Sequence, residues 1–140
     1  MGQTTEKMIK EFPSITFYAT GIGNTGKIHE KINDLRVKSI SLENELAWME
    51  IYSKSHLVIG VHGSYMIIPT SLAAGFLDLV PRYKLPNFGE DTLLPFYPRL
   101  FEFLGRYLDE YSSPKLLVLH AKSIIHGFDF RYKNENQLPE

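Results

Sequence analysis

The sequence predicts an α/β fold: one three-layer domain in which helices cover both faces of a mostly parallel sheet of about five strands. Short segments rich in β-branched and aromatic residues alternate with helical stretches of about ten residues, which is typical of parallel strands joined by crossover helices. With 44% hydrophobic residues among 140, the chain can build one core. We expect the domain to span 14–131, between a polar N-terminal tail at 1–13 and a polar C-terminal tail at 132–140.

The N-terminal half is predicted to hold two strands and two helices. Residues 14–20 carry β-branched and aromatic side chains and predict the first strand. Residues 27–35 place apolar side chains at i, i+4 and i+7 and predict a helix, whereas 37–42 alternate like a strand. A second helix is expected over 44–53, capped by its first residue. The side chains of this helix that we predict to face inward are Leu46, Met49 and Tyr52.

The C-terminal half begins with a continuous apolar run at 57–61, which predicts a central strand covered on both faces. A helix over 64–74 should follow and stop at Gly75, although Pro69 lies within it. The remaining elements are predicted as a strand at 76–80, a long connection at 81–98, an amphipathic helix at 99–111 and a strand at 115–121.

Composition limits the classes of partner. Lys and Arg number 15 against 16 for Asp and Glu, so no broad positive field favours nucleic acid. The absence of cysteine excludes disulfides, thiolate zinc sites and cysteine nucleophiles, and the histidines lack metal-binding spacing, so no metal or cofactor is expected. No run approaches the roughly 18 apolar residues of a membrane span, and the first ten residues do not read as a secretory signal. We therefore expect a soluble, cytoplasmic protein.

One turn combines residues suited to binding an anion. His62, Gly63 and Ser64 lie between a predicted strand and a predicted helix. The first amides of a helix are unpaired and attract phosphate, while Gly63 allows close approach and Ser64 can cap the helix or donate to an oxygen. A purely structural turn, with His62 bonded to a carbonyl, accounts for the same residues.

The surrounding pattern covers residues 46–91 and includes Trp48, the turn from Gly60 to Ser64, Met66, Pro69 and a strand that ends at Pro81. It resembles the C-terminal, donor nucleotide-sugar-binding domain of GT-B type glycosyltransferases, in the family with a G-V-H-G-[SA] turn. The resemblance implies a Rossmann-like fold and a nucleotide-diphosphate sugar as ligand, held beside His62, Gly63 and Ser64, and the adjacent Tyr65 is a further candidate for binding it. It also implies that His62 stabilises the leaving diphosphate without a required metal, and that an acceptor-binding domain or partner chain completes the enzyme. Tyr65 stands where a second small residue is common.

A glycine-rich loop supports a rival function. Residues 21–26 satisfy G-x-G-x-x-G after a predicted strand and before a predicted helix, and Glu43 follows about 20 residues on, where a ribose-binding carboxylate would lie. Gly21, Gly23, Gly26 and Glu43 would then serve a small NAD-type oxidoreductase module. Ile28 replaces the hydroxyl residue that a phosphate-binding ATPase loop requires. A flexible loop is the simpler explanation, and in a donor domain Gly21, Gly23 and Asn24 would face the same ligand.

The connection at 81–98 contributes further candidates. Arg82 or Lys84 would meet a phosphate, and Asn87 or Asp91 would hold hydroxyl groups of a sugar or ribose. Isolated charges in a loop are more often simply solvated, which is the alternative interpretation of these residues. A third hypothesis for the whole chain is a degenerate domain that mediates protein contacts.

Overall fold

A computed structural model describes residues 2–23, 26, 28–86 and 105–127. These residues form a mixed α/β fold whose paired strands are parallel, as predicted. The helices are α1 (Gly2–Glu11), α2 (Leu42–Ser53), α3 (Ile67–Leu72) and α4 (Pro114–His126). The strands are β1 (Phe17–Ala19), β2 (Ile32–Asp34), β3 (Val58–Val61), β4 (Phe76–Val80) and β5 (Gly105–Asp109), and single 3-10 turns lie at Ser64–Met66 and Arg82–Lys84.

The strands form two sheets in the described part of the chain. One contains β3, β4 and β5 in that order, and the other pairs β1 with β2. The prediction that 57–61 is the central strand is wrong, because β3 lies at an edge and Ile59 and Val61 are exposed. The central strand is β4, in which four of five residues are buried. An apolar run shows that a strand is partly covered, but it does not show the position of the strand in the sheet.

The N-terminal segment, predicted as a polar tail at 1–13, contains helix α1, which packs on the core. Met8 and Phe12, four residues apart, pack against α4 and β4. Their partners in this buried cluster are Leu77, Leu117, Ala121 and Ile124. The polar residues of α1 occupy the opposite face, which gave the sequence its tail-like appearance.

Two elements near the C terminus have the opposite type from the one predicted. The chain is helical over α4, which includes the predicted strand at 115–121, and extended over β5, which lies in the predicted helix at 99–111. Ser113 caps α4 by accepting from the Leu116 amide, and Pro114 occupies the first turn, where no amide donor is needed. Residues 99–104 lie outside the described residues.

The segment before α2 also differs from the prediction. Residues 32–34 are strand β2 and not part of a helix, and Val37 makes only a single bridge with Ile22. The predicted strand at 37–42 is therefore absent. Helix α2 is confirmed, but it begins at Leu42 and its cap is Ser41, which accepts from the Asn44 amide.

The buried face of α2 is centred on Trp48, which the sequence analysis did not place in the core. Its indole nitrogen donates to Leu35 O at 3.1 Å, and Tyr52 Oη lies 2.7 Å from Thr20 Oγ1. Leu46 and Met49 are exposed, contrary to prediction. The large indole ring decides the orientation, because it buries more apolar surface than either aliphatic side chain.

The predicted helix at 64–74 consists of a 3-10 turn followed by the six-residue α3, which contains the buried Pro69. The strand at 76–80 is confirmed. The connection after it starts with the 3-10 turn Arg82–Lys84, and residues 87–98 and the predicted C-terminal tail lie outside the described residues. Of the helices that the structure describes, none has the length and apolarity needed to cross a bilayer.

An ion pair joins α1 to α4 and gives their packing a pH dependence. Lys122 Nζ donates to Glu11 Oε1 at 2.5 Å, and this hydrogen bond and the lysine charge lower the pKa of Glu11. A carboxyl group with a lowered pKa stabilises the fold above its ordinary pKa, and the contribution is lost as pH falls through the folded value. We expect Lys122→Met to lower the thermal midpoint at pH 7, and we expect this difference from the unmodified chain to disappear as pH falls through the lowered pKa of Glu11. Calorimetry checks this, with Lys38→Met as control; a difference independent of pH would contradict the assignment.

Candidate functional site

The candidate site lies at the carboxyl edge of the three-stranded sheet. His62 directly follows β3, and its amide donates to Leu79 O at 2.8 Å, which continues the ladder with β4. Its Nδ1 lies 2.7 Å from Oδ2 of Asp78 on β4. Asp78 is paired with Gly60 of β3, so its neighbour on that strand has no side chain. Met66 Sδ fills that position, 2.1 Å from where a Cβ on Gly60 would lie.

Asp78 is a site residue that the sequence analysis missed. The residue is only 3% exposed, and burial raises the pKa of its carboxyl group against the opposing effects of His62 and Lys84. Its Oδ1 has no hydrogen-bond partner among the described residues. An acidic residue in the otherwise apolar strand 76–80 was a visible signal, because buried carboxylates are rare unless they are paired.

Lys84 connects the segment after β4 to the turn at His62 and Gly63. Its Nζ donates to His62 O at 2.5 Å, and a Cβ on Gly63 would lie 2.7 Å from the same nitrogen. The ammonium group of Lys84 therefore lies directly on the Gly63 turn. Two segments that are distant in sequence, after β3 and after β4, contribute to one site.

Arg82 is directed to a different neighbour. Its Nε lies 3.6 Å from Asp109 Oδ2, its guanidinium lies 5.8 Å from the centre of the Tyr111 ring, and its side chain is 73% exposed. The Arg82 amide also donates to Glu110. Its contacts are thus with the end of β5 and the residues that follow, whereas Lys84 contacts the turn after β3.

The α-helix that follows Gly63 is shorter than predicted. The first hydrogen bond of the 3-10 turn runs from Met66 N to Gly63 O, so the Ser64 and Tyr65 amides precede it, as is usual at a helix start. Six-residue α3 supplies only a small dipole, so most of the positive charge at this turn comes from Lys84. Tyr65 is 79% exposed and does not fill the site.

An aromatic contact supports the His62 ring from β5. The ring packs edge-on against Tyr107, with centroids 6.4 Å apart, and Tyr107 in turn packs against Phe76 at 5.4 Å. Tyr107 pairs with Asp78 in the sheet. The His62 side chain, 11% exposed, is thus enclosed by groups from both β4 and β5.

The glycine-rich loop makes hydrogen bonds with a neighbouring segment of the chain. Gly23 N donates to Val37 O at 2.9 Å, Val37 N donates to Gly21 O at 3.0 Å, and Arg36 donates to Gly26 O at 2.9 Å. The Gly23 amide is therefore occupied and does not face a phosphate. The described residues after the loop lead into strand β2 and not into a helix.

Glu43 lies in the first turn of α2 and not at the end of a strand. The strand, loop and helix order that a dinucleotide fingerprint requires is therefore not met in the part of the chain that the structure describes. The candidate residues Asn24, Asn87 and Asp91 lie outside the described residues.

The fold and the site together define a mixed α/β protein with charged and polar groups at the carboxyl edge of a parallel sheet. A scan against protein-family models and searches of curated proteins and solved structures gave no significant match to this chain. The functional proposal accordingly depends on the sequence pattern and on the geometry of His62, Gly63 and Lys84.

Proposed function

We propose that the chain is the donor nucleotide-sugar-binding domain of a glycosyltransferase, with a Rossmann-like arrangement of its strands and helices. One observation carries the proposal: the ammonium group of Lys84 lies on the turn formed by His62 and Gly63. The carboxyl edge of a parallel sheet is where α/β folds commonly bind nucleotides. A cation, an imidazole and two turn amides at that edge are suited to a diphosphate.

The contacts at the turn leave Lys84 able to bind a ligand. In the structure its Nζ donates to a backbone carbonyl, which is a neutral acceptor. A diphosphate oxygen carries negative charge and the carbonyl oxygen does not, so the ammonium group would gain Coulomb attraction by moving to the diphosphate. Gly63, without a side chain, allows the phosphate to approach the Ser64 and Tyr65 amides.

The same groups would assist transfer of the sugar. As the bond between the sugar and the diphosphate breaks, negative charge grows on the leaving phosphate oxygen, and positive charge or N–H donors fixed nearby lower the barrier. Lys84 and His62 would supply this stabilisation. The base that activates the acceptor would come from an acceptor-binding domain or partner chain.

Titration of the 15N-labelled chain with UDP, GDP, NAD and ATP tests the proposal. We expect UDP or GDP to shift the amide signals of residues 62–66 and of Lys84, with smaller changes elsewhere. Inorganic pyrophosphate, run in parallel, shows how much of the response needs the nucleoside. An NAD response centred on residues 21–26 would favour the oxidoreductase hypothesis instead, and no response to any ligand would favour a protein-contact domain.

Gly63→Val tests the turn directly. The new side chain would begin 2.7 Å from the present position of Lys84 Nζ, so it would displace the ammonium group and narrow the approach of the phosphate. We expect the affinity for UDP to fall at least about tenfold, or 1.4 kcal/mol, measured by calorimetric titration. Gly2→Val, where nothing lies within 4 Å of a new Cβ, is the control. Unchanged affinity in a folded Gly63→Val protein would remove the turn from the site.

A further inference from the structure

Asp78 places a carboxyl group inside the apolar core of the sheet, and the only described hydrogen bond of that group is to His62. The two atoms, Asp78 Oδ2 and His62 Nδ1, are 2.7 Å apart, which is typical of a charge-assisted hydrogen bond. We propose that Asp78 is a positioning residue: its carboxylate accepts the Nδ1–H of His62 and so fixes the orientation and the tautomer of the ring.

The geometry leaves the ring little freedom. Both backbones are held by the sheet: His62 directly follows β3 and its amide donates to Leu79 O, and Asp78 lies in β4, where it pairs with Gly60. Tyr107 packs against the ring from β5 in a T-shaped arrangement. With its Nδ1 bonded and one side of the ring packed, His62 cannot rotate without breaking a contact.

The cost of burying Asp78 indicates that the carboxylate has a role beyond packing. Burial disfavours its charged form, and its Oδ1 lacks a hydrogen-bond partner among the described residues. An apolar residue of similar size would fill a central strand without this desolvation cost. The interaction that such a residue would lose is the hydrogen bond with His62.

Asp78 also determines which ring nitrogen carries the proton in the neutral ring. Because Nδ1 faces Asp78, Nε2 is the remaining ring nitrogen, and it is an acceptor when the ring is neutral and a donor when the ring is charged. Among the described residues, the titratable groups in contact with the ring include Asp78 from β4 and Tyr107 from β5, and Lys84 from the turn after β4 contacts the backbone carbonyl of His62. The effect on ligand binding rests on the proposed function, but the tautomer does not.

The tautomer is measurable in the full chain without any ligand. Long-range 1H–15N spectra near pH 8, above the ordinary titration range of histidine at about 6.5, distinguish a protonated from an unprotonated ring nitrogen. We expect His62 to show a protonated Nδ1 and an unprotonated Nε2. His62→Gln assigns the signals, and the other four of the five histidines are internal references. A His62 ring with the proton on Nε2 would overturn the proposal.

A double-mutant cycle tests the consequence for binding. We expect Asp78→Asn to weaken UDP binding about tenfold in the native background and less than about twofold in a His62→Gln background, because Asp78 acts through the ring. Equal losses in both backgrounds would overturn the positioning role. Asp109→Asn, an exposed carboxylate at the end of β5, is the matched control. If the native chain binds no nucleotide, the proposed function fails, while the spectra of the native ring still decide the role of Asp78.

Discussion

Gly105→Ala is expected to destabilise the protein by about 3 kcal/mol, the upper part of the usual range for overpacking a core. Gly105 begins β5 beside Phe76, and a Cβ there would lie 2.0 to 2.4 Å from three atoms of the Phe76 ring. That ring is 3% exposed and rigid, so it can give way only by displacing its neighbours. For a chain of this length the thermal midpoint should fall by roughly 10 °C, measured by calorimetry.

Two other glycines provide matched controls. At Gly60 a Cβ would meet Met66 Sδ at 2.1 Å, but methionine is unbranched and adapts more easily than a phenyl ring, so Gly60→Ala should cost less. At Gly2 nothing lies within 4 Å, and alanine should not destabilise α1. A Gly105→Ala protein as stable as Gly2→Ala would contradict the packing around Phe76.

Gly105 is also connected to the site through a row of rings. Phe76 contacts Tyr107, and Tyr107 contacts His62. If a new Cβ at residue 105 displaces the Phe76 ring, we therefore expect a larger displacement of the His62 ring than of Lys84. In the spectra of Gly105→Ala we expect the ring signals of His62 to shift more than those of His56.

The elements that the sequence predicts correctly are those whose signals are local. Strand β4 and helix α2 are specified by an apolar run and by a polar cap followed by a helical segment. Helix α1 could not be predicted in the same way, because Met8 and Phe12 become informative only when α4 lies opposite them. The sequence patterns predicted a helix in place of strand β5 and a strand in place of helix α4, because short apolar runs fit the periodicity of a helix and that of a strand. Ser113 and Pro114 nevertheless marked the true start of the helix.

The residues of the candidate site also divide into those that a local sequence signal predicts and those that only the fold brings together. The turn at His62 and Gly63 was visible as a motif, and its place after a strand is confirmed. Its partner Asp78 is 16 residues away, and the two meet only through the parallel register of β3 and β4. Which of Arg82 and Lys84 contacts the turn after β3 depends on the 3-10 turn that contains both residues. The composition of the segment does not predict that turn.

Lys84→Ala is expected to reduce the affinity for UDP by about 10- to 100-fold, the loss that corresponds to one charge-assisted hydrogen bond of roughly 1.5 to 3 kcal/mol. The expected loss is large because Lys84 contributes the fixed positive charge at the turn, while α3 is too short to add much. Binding should also become less sensitive to salt, because a screened charge has been removed. Calorimetric titration at two ionic strengths measures both effects.

Arg82→Ala is the control for this result, since Arg82 belongs to the same 3-10 turn and carries the same charge. Its side chain lies near Asp109 and Tyr111, so its removal should change the affinity for UDP less than about threefold. Equal losses in the two variants would mean that the ligand responds to the general charge of the connection and not to a fixed ammonium group. A larger loss for Arg82→Ala would move the phosphate position to the end of β5, and the proposed turn would no longer be the site.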